Sequence, residues 1–244
     1  MKAIPMLFNT EMVKALISGK KVQTRRPVPD WQKPEEIPSQ QGRCRWMSVA
    51  QRDSEFGFGV FGHTEEECMD NYADATYLCP FASVGDLIYV RETAEYFGCS
   101  MDGLYISYGK DMGFEYRYGR EMGPADVEEG KQLVQYFNIV DKSRANGDSV
   151  KVPSIHMPRW ASRLTLKVTG IRIERVQDIS EKDAGFEGFD STFSDGSGVS
   201  MRNQFGGIWQ TIYGESWENN DWVWVIEFDV IHKNVDDYIE SLGQ

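Results

Sequence analysis

The sequence contains few of the residues that build metal sites or disulfide frameworks. It has four cysteines and three histidines among 244 residues, and no two cysteines form a C-x-x-C pair. A zinc ribbon is therefore not expected. A metal pair of Cys68 and Cys79 with His63 is one interpretation, and reduced, mostly buried thiols are the simpler one. We expect neither a metal nor a cofactor.

Long apolar runs are also missing. No segment approaches the roughly 18 apolar residues of a membrane span. The apolar stretch within residues 1–14 is interrupted by Asn9 and Glu11 and carries no signal-peptide cleavage pattern. The chain also contains neither a Rossmann fingerprint nor a Walker A loop. We therefore expect a cytoplasmic protein that has no membrane partner.

Positive charge is scarce overall but concentrated locally. The 26 Lys and Arg are outnumbered by 38 Asp and Glu, and the resulting net charge of −12 disfavours unspecific binding of polyanions. Nevertheless, residues 14–26 contain five cations and no acid, and residues 151–175 contain six cations and one acid, Glu174. Either these segments form a confined anion-binding face or they are two solvated surface segments. Charge alone leaves both interpretations open.

The C-terminal third has the clearest secondary-structure patterns. Alternation of apolar and polar residues over 164–168 predicts a half-buried strand, which continues beyond a bulge or bend at Gly170. The run 222–228 predicts a strand buried on both faces. Between them, an amphipathic helix that ends at Gly214 is predicted by apolar residues at i, i+3, i+4 and i+7. These residues are Phe205, Ile208, Trp209 and Ile212.

Two shorter helices are marked by their ends. Thr10 is expected to cap a helix that Gly19 terminates. Ser180 and Asp183 resemble a capping box, and they open a short helix that Gly188 closes.

The remaining patterns predict strands joined over long sequence separations. They comprise an extended segment at 20–26, a strand at 87–91 after a turn at 84–86, a hairpin of 104–108 with 114–118, and a helix near 127–136. Together the elements predict one α+β domain over residues 1–244, built on a mixed or antiparallel barrel. Two segments, at about 27–83 and 97–150, are predicted to be insertions into it.

Four segments resemble landmarks of ASCH domains, relatives of the PUA domains that bind RNA. Residues 19–26, GKKVQTRR, resemble the opening signature G-[KR]-K-x-x-T-x-R, and Gly85-Asp86 before an apolar strand resembles the second landmark. Residues 222–228 resemble the closing strand, and residues 153–163, PSIHMPRWASR, resemble a subgroup carried by phages and prophages. The resemblance implies a small PUA-like β-barrel with short flanking helices and the two long insertions.

Functions differ among ASCH relatives, which include an amidohydrolase that removes acetyl from N4-acetylcytidine, ribonucleases, and nucleic-acid-binding modules. The resemblance to the amidohydrolase implies three catalytic residues: Lys21, Thr24 and Glu187. It implies a cytoplasmic hydrolase, in a bacterial host cell if a phage encodes it. Its partner would be a modified nucleoside, RNA or single-stranded nucleic acid. A non-catalytic RNA- or DNA-binding module and a ribonuclease remain as alternatives, and the oligomeric state stays open.

The implied chemistry sets conditions on these residues. A threonine hydroxyl attacks well only when a base takes its proton, and a lysine is such a base only if burial or nearby cations lower its pKa. In an extended segment Lys21 and Thr24 point to opposite faces, so their contact requires a turn or bulge. The alternatives are an exposed strand edge for both residues and a solvated helix position for Glu187. We expect a wet cleft, so that alanine substitutions leave stability nearly unchanged.

Six further polar residues are candidates for binding the substrate: Arg25, Arg26, Glu92, His156, Arg159 and Arg163. His156 is also a candidate for acid–base chemistry near neutral pH. Alternatively, the segment 153–163 anchors the barrel, with Arg159 and Arg163 paired to carboxylates such as Glu92.

Overall fold

The computed structural model describes residues 1–38, 44–51, 57–72, 79–100, 103–108, 114–118, 150–190 and 198–243. These residues form several sheets and short helices, which confirms the α+β class, and the described strands do not close into a barrel. The helix predicted near 127–136 lies outside the described residues. The chain divides into two compact units: Met1, Ser18–Asp86 and Lys167–Asp229 form the first, and Lys2–Ile17, Leu87–Leu166 and Val230–Gln244 the second.

The described strands, in chain order, are β1 (Ala3–Leu7), β2 (Gln23–Pro27), β3 (Glu35–Glu36), β4 (Trp46–Gln51), β5 (Phe58–Gly62), β6 (Leu87–Arg91), β7 (Ala94–Ser100), β8 (Gly103–Ser107), β9 (Phe114–Tyr118), β10 (Val150–Val152), β11 (Thr165–Arg175) and β12 (Trp222–Ile231). The helices are α1 (Thr10–Ile17), α2 (Glu65–Asp70), α3 (Glu181–Phe186), α4 (Met201–Tyr213) and α5 (Val235–Leu242).

In the first unit, β11, β12 and β2 lie side by side in that order. Strand β12 runs antiparallel to β2, with Val225 opposite Arg25 and Ile226 opposite Thr24. The opening segment, the long alternating strand and the closing strand therefore share one sheet, as the sequence predicted. Whether this sheet belongs to a PUA-like barrel stays a prediction.

Helices α3 and α4 cover one face of this sheet. The buried core there consists of Val176, Ile179, Ala184, Phe205, Trp209, Val223 and Val225. Trp222 and Trp224 of β12 contact the segment predicted as the first insertion. The Trp224 indole donates to the Gln32 amide oxygen at 3.0 Å, and the Tyr72 ring stands edge-on to Trp224 at 5.7 Å. This insertion forms the sheet of β3, β4 and β5 and belongs to the first unit.

Two local predictions need correction. Helix α1 is capped by the residue before the predicted one, because Asn9 Oδ1 accepts from the Met12 amide at 2.8 Å. Helix α4 ends at Gly214 as predicted, but Ile208 and Ile212 of its predicted apolar face are 44% and 47% exposed. Strand β11 continues beyond Gly170, as predicted, and a bulge at this glycine stays a prediction.

The second unit contains the parallel pair β1 and β6 and the antiparallel sheet β10-β7-β8-β9. Strands β8 and β9 form the predicted hairpin, with Gly103 opposite Tyr118 and Ser107 opposite Phe114. Most of the second predicted insertion lies outside the described residues. Among the residues that are described, no helix has both the length and the apolar character needed to cross a membrane.

A substitution in the β3-β4-β5 sheet tests this packing. A Cβ at Gly62 would lie 2.3 Å from the Cys68 amide nitrogen and 2.8 Å from the Thr64 carbonyl oxygen, both backbone atoms. Gly62→Ala should therefore lower the free energy of unfolding by about 3 kcal/mol. A Cβ at Gly207 meets no atom within 4 Å, so Gly207→Ala should instead stabilise helix α4 by about 0.5–1 kcal/mol. Urea denaturation measures both, and equal effects would contradict the close approach at Gly62.

Candidate functional site

Lys21 lies between α1 and β2, where backbone hydrogen bonds hold the chain. Gly19 has a φ of 72°, which turns the chain out of the helix at a conformation that suits glycine. The Val22 amide donates to the Phe186 carbonyl, and the Phe228 amide donates to the Val22 carbonyl, both at 2.9 Å. These bonds place Lys21 beside the end of α3.

Glu187 is placed by the geometry of α3. The Ser180 hydroxyl accepts from the Asp183 amide at 3.0 Å, as the predicted capping box requires, and Glu187 is the C-terminal cap. Gly188 then reverses the chain with a φ of 104°. The helix has six residues, so a fixed start also fixes the position of Glu187.

Lys21 and Glu187 meet across 166 residues of sequence. The ammonium group of Lys21 donates to the backbone carbonyl of Glu187 at 3.1 Å and makes a short hydrogen bond with its carboxylate Oε2. Arg25 Nη1 donates to the other oxygen, Oε1, at 3.0 Å. The Lys21 and Arg25 side chains are 0% exposed and that of Glu187 is 4% exposed, so the pair is removed from water.

Further charged groups extend this contact towards solvent. Arg25 Nε and Nη2 donate to Glu174 Oε1 at 2.9 and 2.7 Å, and Arg172 Nε donates to Glu174 Oε2 at 3.0 Å. Asp183 Oδ1 lies 3.5 Å from Arg172 Nη2 and accepts from Gln23 Nε2 at 3.3 Å. We refer to Lys21, Arg25, Arg172, Glu174, Asp183 and Glu187 as the charge network. Exposure rises along it to 35% at Arg172.

The glycine in β11 belongs to the same arrangement. A Cβ at Gly170 would lie 2.7 Å from Glu227 Oε2, and the other oxygen of Glu227 accepts a short hydrogen bond from Arg172. The lack of a side chain at Gly170 therefore makes room for the Glu227 carboxylate.

Burial dominates the electrostatics of Lys21. It lowers the pKa of the Lys21 ammonium group; Glu187 opposes this effect, while the positive charges of Arg26 and Arg25 add to it. For Asp183, burial acts to raise the pKa, but the Ser180 hydroxyl, Arg172, Gln23 and Arg25 together outweigh it, so that the pKa is lowered. The network thus holds an amine that releases its proton more readily than an exposed lysine.

Thr24 lies on the other face of β2. Gln23 and Arg25 reach towards α3 and β11, whereas Thr24 Oγ1 accepts from Arg26 Nη1 at 3.2 Å. This separation follows from the period of two in a strand. The structure therefore brings together two of the three predicted catalytic residues, Lys21 and Glu187, and gives Thr24 a different neighbour.

The predicted binding residues of segment 153–163 belong to the second unit together with Glu92. Arg163 makes a two-pronged contact with the Glu92 carboxylate at 2.9 and 3.0 Å and lies over the Tyr108 ring at 4.0 Å. Arg159 contacts Asp236 Oδ1 at 2.5 Å. His156 is exposed at the end of a single 3₁₀ turn. These contacts match the alternative interpretation of segment 153–163, in which Arg159 and Arg163 pair with carboxylates.

Ion pairs also occupy many cations of the two basic segments. The partners are Asp190 for Lys20, Glu187 for Lys21, Glu174 for Arg25 and Arg172, Asp236 for Arg159, Glu92 for Arg163, and Glu65 for Arg175. A face made of paired charges attracts phosphates weakly. The contacts therefore indicate a third interpretation of the basic segments, which charge counting missed. Carboxylates of the same fold compensate many of their positive charges.

The three cysteines whose side chains are described are free thiols, and burial raises the pKa of both Cys68 and Cys79 to about 11. In the part of the chain that the structure describes, no group of three or more His, Cys, Asp or Glu side chains could hold a metal ion. The burial of the free Cys68 and Cys79 thiols fits the simpler interpretation of the cysteines.

A cleft of about 740 Å³ opens in the first unit beside Glu174 of the charge network, and Lys21 and Glu187 are not among its lining residues. Five carboxylates line it against one cation, Arg175, and Trp222 forms part of its wall. The acids are Glu65, Glu66, Asp70, Glu174 and Asp178. Such a surface repels a phosphate backbone.

Sequence reasoning missed Glu174, Asp183 and Arg172 as members of the network. A signal existed in β11, because Arg172 and Glu174 are two residues apart on one strand face, and Glu174 is the single acid of a basic segment. For Asp183 the capping pattern explained the residue completely and concealed its second role.

Comparison with known proteins adds no assignment: no family model, no curated protein and no solved structure matches this chain.

Proposed function

We propose that this chain is an ASCH-type protein that binds a nucleoside and hydrolyses the amide bond of an N4-acylated cytidine or a similarly modified base. The observation that carries the proposal is the contact between Lys21 and Glu187. The resemblance to the amidohydrolase assigns catalytic roles to both residues, although 166 positions separate them.

The state of Lys21 supports the same chemistry. A general base must be unprotonated before it acts, and an exposed lysine is protonated at neutral pH. Because burial lowers the pKa of Lys21, its amine becomes available at lower pH. Perturbed lysines of this kind occur preferentially at functional sites.

In the proposed reaction, a water molecule that enters with the substrate gives a proton to Lys21, and the resulting hydroxide adds to the acyl carbonyl carbon. The proton passes from Lys21 to Glu187 through their hydrogen bond. Glu187 delivers it to the N4 nitrogen as the carbon–nitrogen bond breaks. One water and one amide thus give a carboxylic acid and a free exocyclic amine, and both residues return to their initial states.

Water is preferred to Thr24 as the nucleophile. The Thr24 side chain leaves the opposite face of β2 from Gln23 and Arg25, and its oxygen accepts from Arg26. Proton transfer from Thr24 to Lys21 would have to cross the strand. We therefore assign Thr24 a role in orienting Arg26, which its hydrogen bond supports.

A free nucleoside suits the charges better than a polymer. The cleft is acidic, and many of the basic side chains are already paired with carboxylates. Phosphate contacts supply most of the affinity for polymers, and such contacts need unpaired positive charge. A nucleoside carries no phosphate and depends on hydrogen bonds and stacking.

Incubating the wild-type protein with N4-acetylcytidine, other N4-acylated cytidines and one oligonucleotide carrying N4-acetylcytidine tests the proposal. Chromatography should show cytidine and acid from the free nucleosides, with little or no product from the oligonucleotide. An O-acetylated nucleoside controls for general esterase activity. No cytidine from any acylated nucleoside would contradict the proposal.

The alternative function is a non-catalytic module that binds a modified nucleoside or nucleic acid. The observation that supports this alternative is the complete burial of Lys21 and Thr24, which are 0% and 1% exposed. Calorimetric binding of an N4-acylated nucleoside without turnover would select this alternative. Ribonuclease activity has weaker support, because the described residues offer no metal cluster.

A further inference from the structure

Arg25 lies at the centre of the charge network, although the opening signature leaves its position unspecified. Its side chain is 0% exposed, and three of its nitrogens donate to carboxylates. Nε and Nη2 bind Glu174 Oε1 at 2.9 and 2.7 Å, and Nη1 binds Glu187 Oε1 at 3.0 Å. A planar guanidinium bound along two edges has little freedom to rotate.

This arrangement determines the orientation of Glu187. Since Arg25 occupies Oε1, the second oxygen, Oε2, is the one that faces Lys21. Arg25 is in turn held by Glu174, whose other oxygen accepts from Arg172 at 3.0 Å. A guanidinium keeps its positive charge throughout the physiological pH range.

We propose that Arg25 is a positioning residue, which aims Glu187 Oε2 at Lys21 Nζ and supplies a permanent charge that makes Lys21 the proton-exchanging member of the pair. Its importance for hydrolysis rests on the proposed function. The positioning itself does not, and it can be measured without substrate.

The charges that face Lys21 give the sign of each expected change. Glu187 stabilises the ammonium form, whereas burial and the charges of Arg25 and Arg26 on β2 destabilise it. Removing the charge of Arg25 should therefore raise the pKa of Lys21. Removing the charge of Glu174 leaves the positive charge of Arg25 less neutralised, so that Arg25 interacts more strongly with Glu187. The ammonium form of Lys21 is then less stabilised, and the pKa of Lys21 should fall further.

Two variants that each remove one charge separate these effects. The titration of Lys21 is followed by NMR of protein labelled at the lysine side chains, with the signal assigned by its loss in Lys21→Met. Arg25→Gln should move the midpoint to higher pH, and Glu174→Gln should move it to lower pH. Arg202→Gln, a half-buried arginine of the same unit that donates to the Gln177 carbonyl at 2.6 Å, should leave it unchanged.

Kinetics provide the second readout. In Arg25→Gln, kcat should fall by about 10–100-fold with a smaller change in KM, because a misplaced acid slows the chemical step more than binding. The low-pH limb of the rate profile should move to higher pH together with the NMR midpoint.

An unchanged midpoint, or shifts of the same sign in both variants, overturns the positioning role. If Arg25→Gln does not fold, an upward or absent shift in Glu174→Gln overturns it by itself. Opposite shifts in a protein that hydrolyses none of the nucleosides would retain the positioning role and reject the proposed function.

Discussion

Replacing Lys21 by methionine should lower kcat for N4-acetylcytidine by about 10²–10⁴-fold, the usual contribution of a general base. Methionine fills a similar volume without a proton-accepting nitrogen. Glu187 remains neutralised by Arg25 at 3.0 Å, so no carboxylate is left buried alone and the protein should stay folded. Steady-state kinetics with chromatographic detection of cytidine measure the effect.

The adjacent residue offers a matched control. Lys20 is 51% exposed and pairs with Asp190 at 2.5 Å, outside the charge network. Lys20→Met should retain wild-type kcat. Because the amine must be free to act, wild-type activity should also decline as the pH falls through the pKa of Lys21 and the ammonium form accumulates. Full activity in Lys21→Met would remove Lys21 from the mechanism and favour the binding module.

Replacing Glu187 by alanine should lower the free energy of unfolding by about 3–5 kcal/mol, the typical cost of removing one partner of a buried ion pair. Lys21 and Arg25 would each lose an acceptor, in a region where water cannot replace it. This reverses the expectation from sequence that alanine at these positions leaves stability nearly unchanged. That expectation assumed a wet cleft, whereas the Glu187 side chain is only 4% exposed.

Asp190→Ala provides the comparison for this experiment. Asp190 pairs with Lys20 at the surface, where its side chain is 45% exposed. An exposed pair contributes about 0–1 kcal/mol, so the loss should be correspondingly small. Urea denaturation at neutral pH gives both values. A similar, small loss in both variants would contradict the desolvation of the Lys21–Glu187 pair.

Local patterns sufficed for several elements of the first unit, but not for those of the predicted first insertion. Strand β12, helix α3 and the end of α4 follow from alternation, capping residues and spacing within a few positions of the chain. The buried face of α4 does not. A Cβ at Gly206 would lie 2.9 Å from the Trp217 ring, so this glycine lets the ring pack on the helix, while Ile208 remains exposed. The spacing of apolar residues cannot predict a contact that is possible only because glycine has no side chain.

In the candidate site, too, some features follow from neighbouring residues and others only from contacts between remote ones. The identity of Lys21, Thr24 and Glu187 as candidates came from the resemblance of short motifs, and the opposite faces of Lys21 and Thr24 came from the period of an extended segment. The partners that compensate Arg25 lie 149 and 162 positions away, and no periodic pattern connects residues so far apart.

The sequence by itself determined where β2, β11, β12 and the helices α3 and α4 run, because such patterns depend on neighbouring residues. Only the tertiary structure decided that many cations of the basic segments pair with carboxylates and that Lys21 is withdrawn from water. Charge compensation and desolvation depend on distances between groups that are remote in sequence. For that reason the segment 14–26, which the sequence presents as a candidate anion-binding surface, contributes Lys21 and Arg25 to a buried charge network in the folded chain. Burial there lowers the pKa of Lys21.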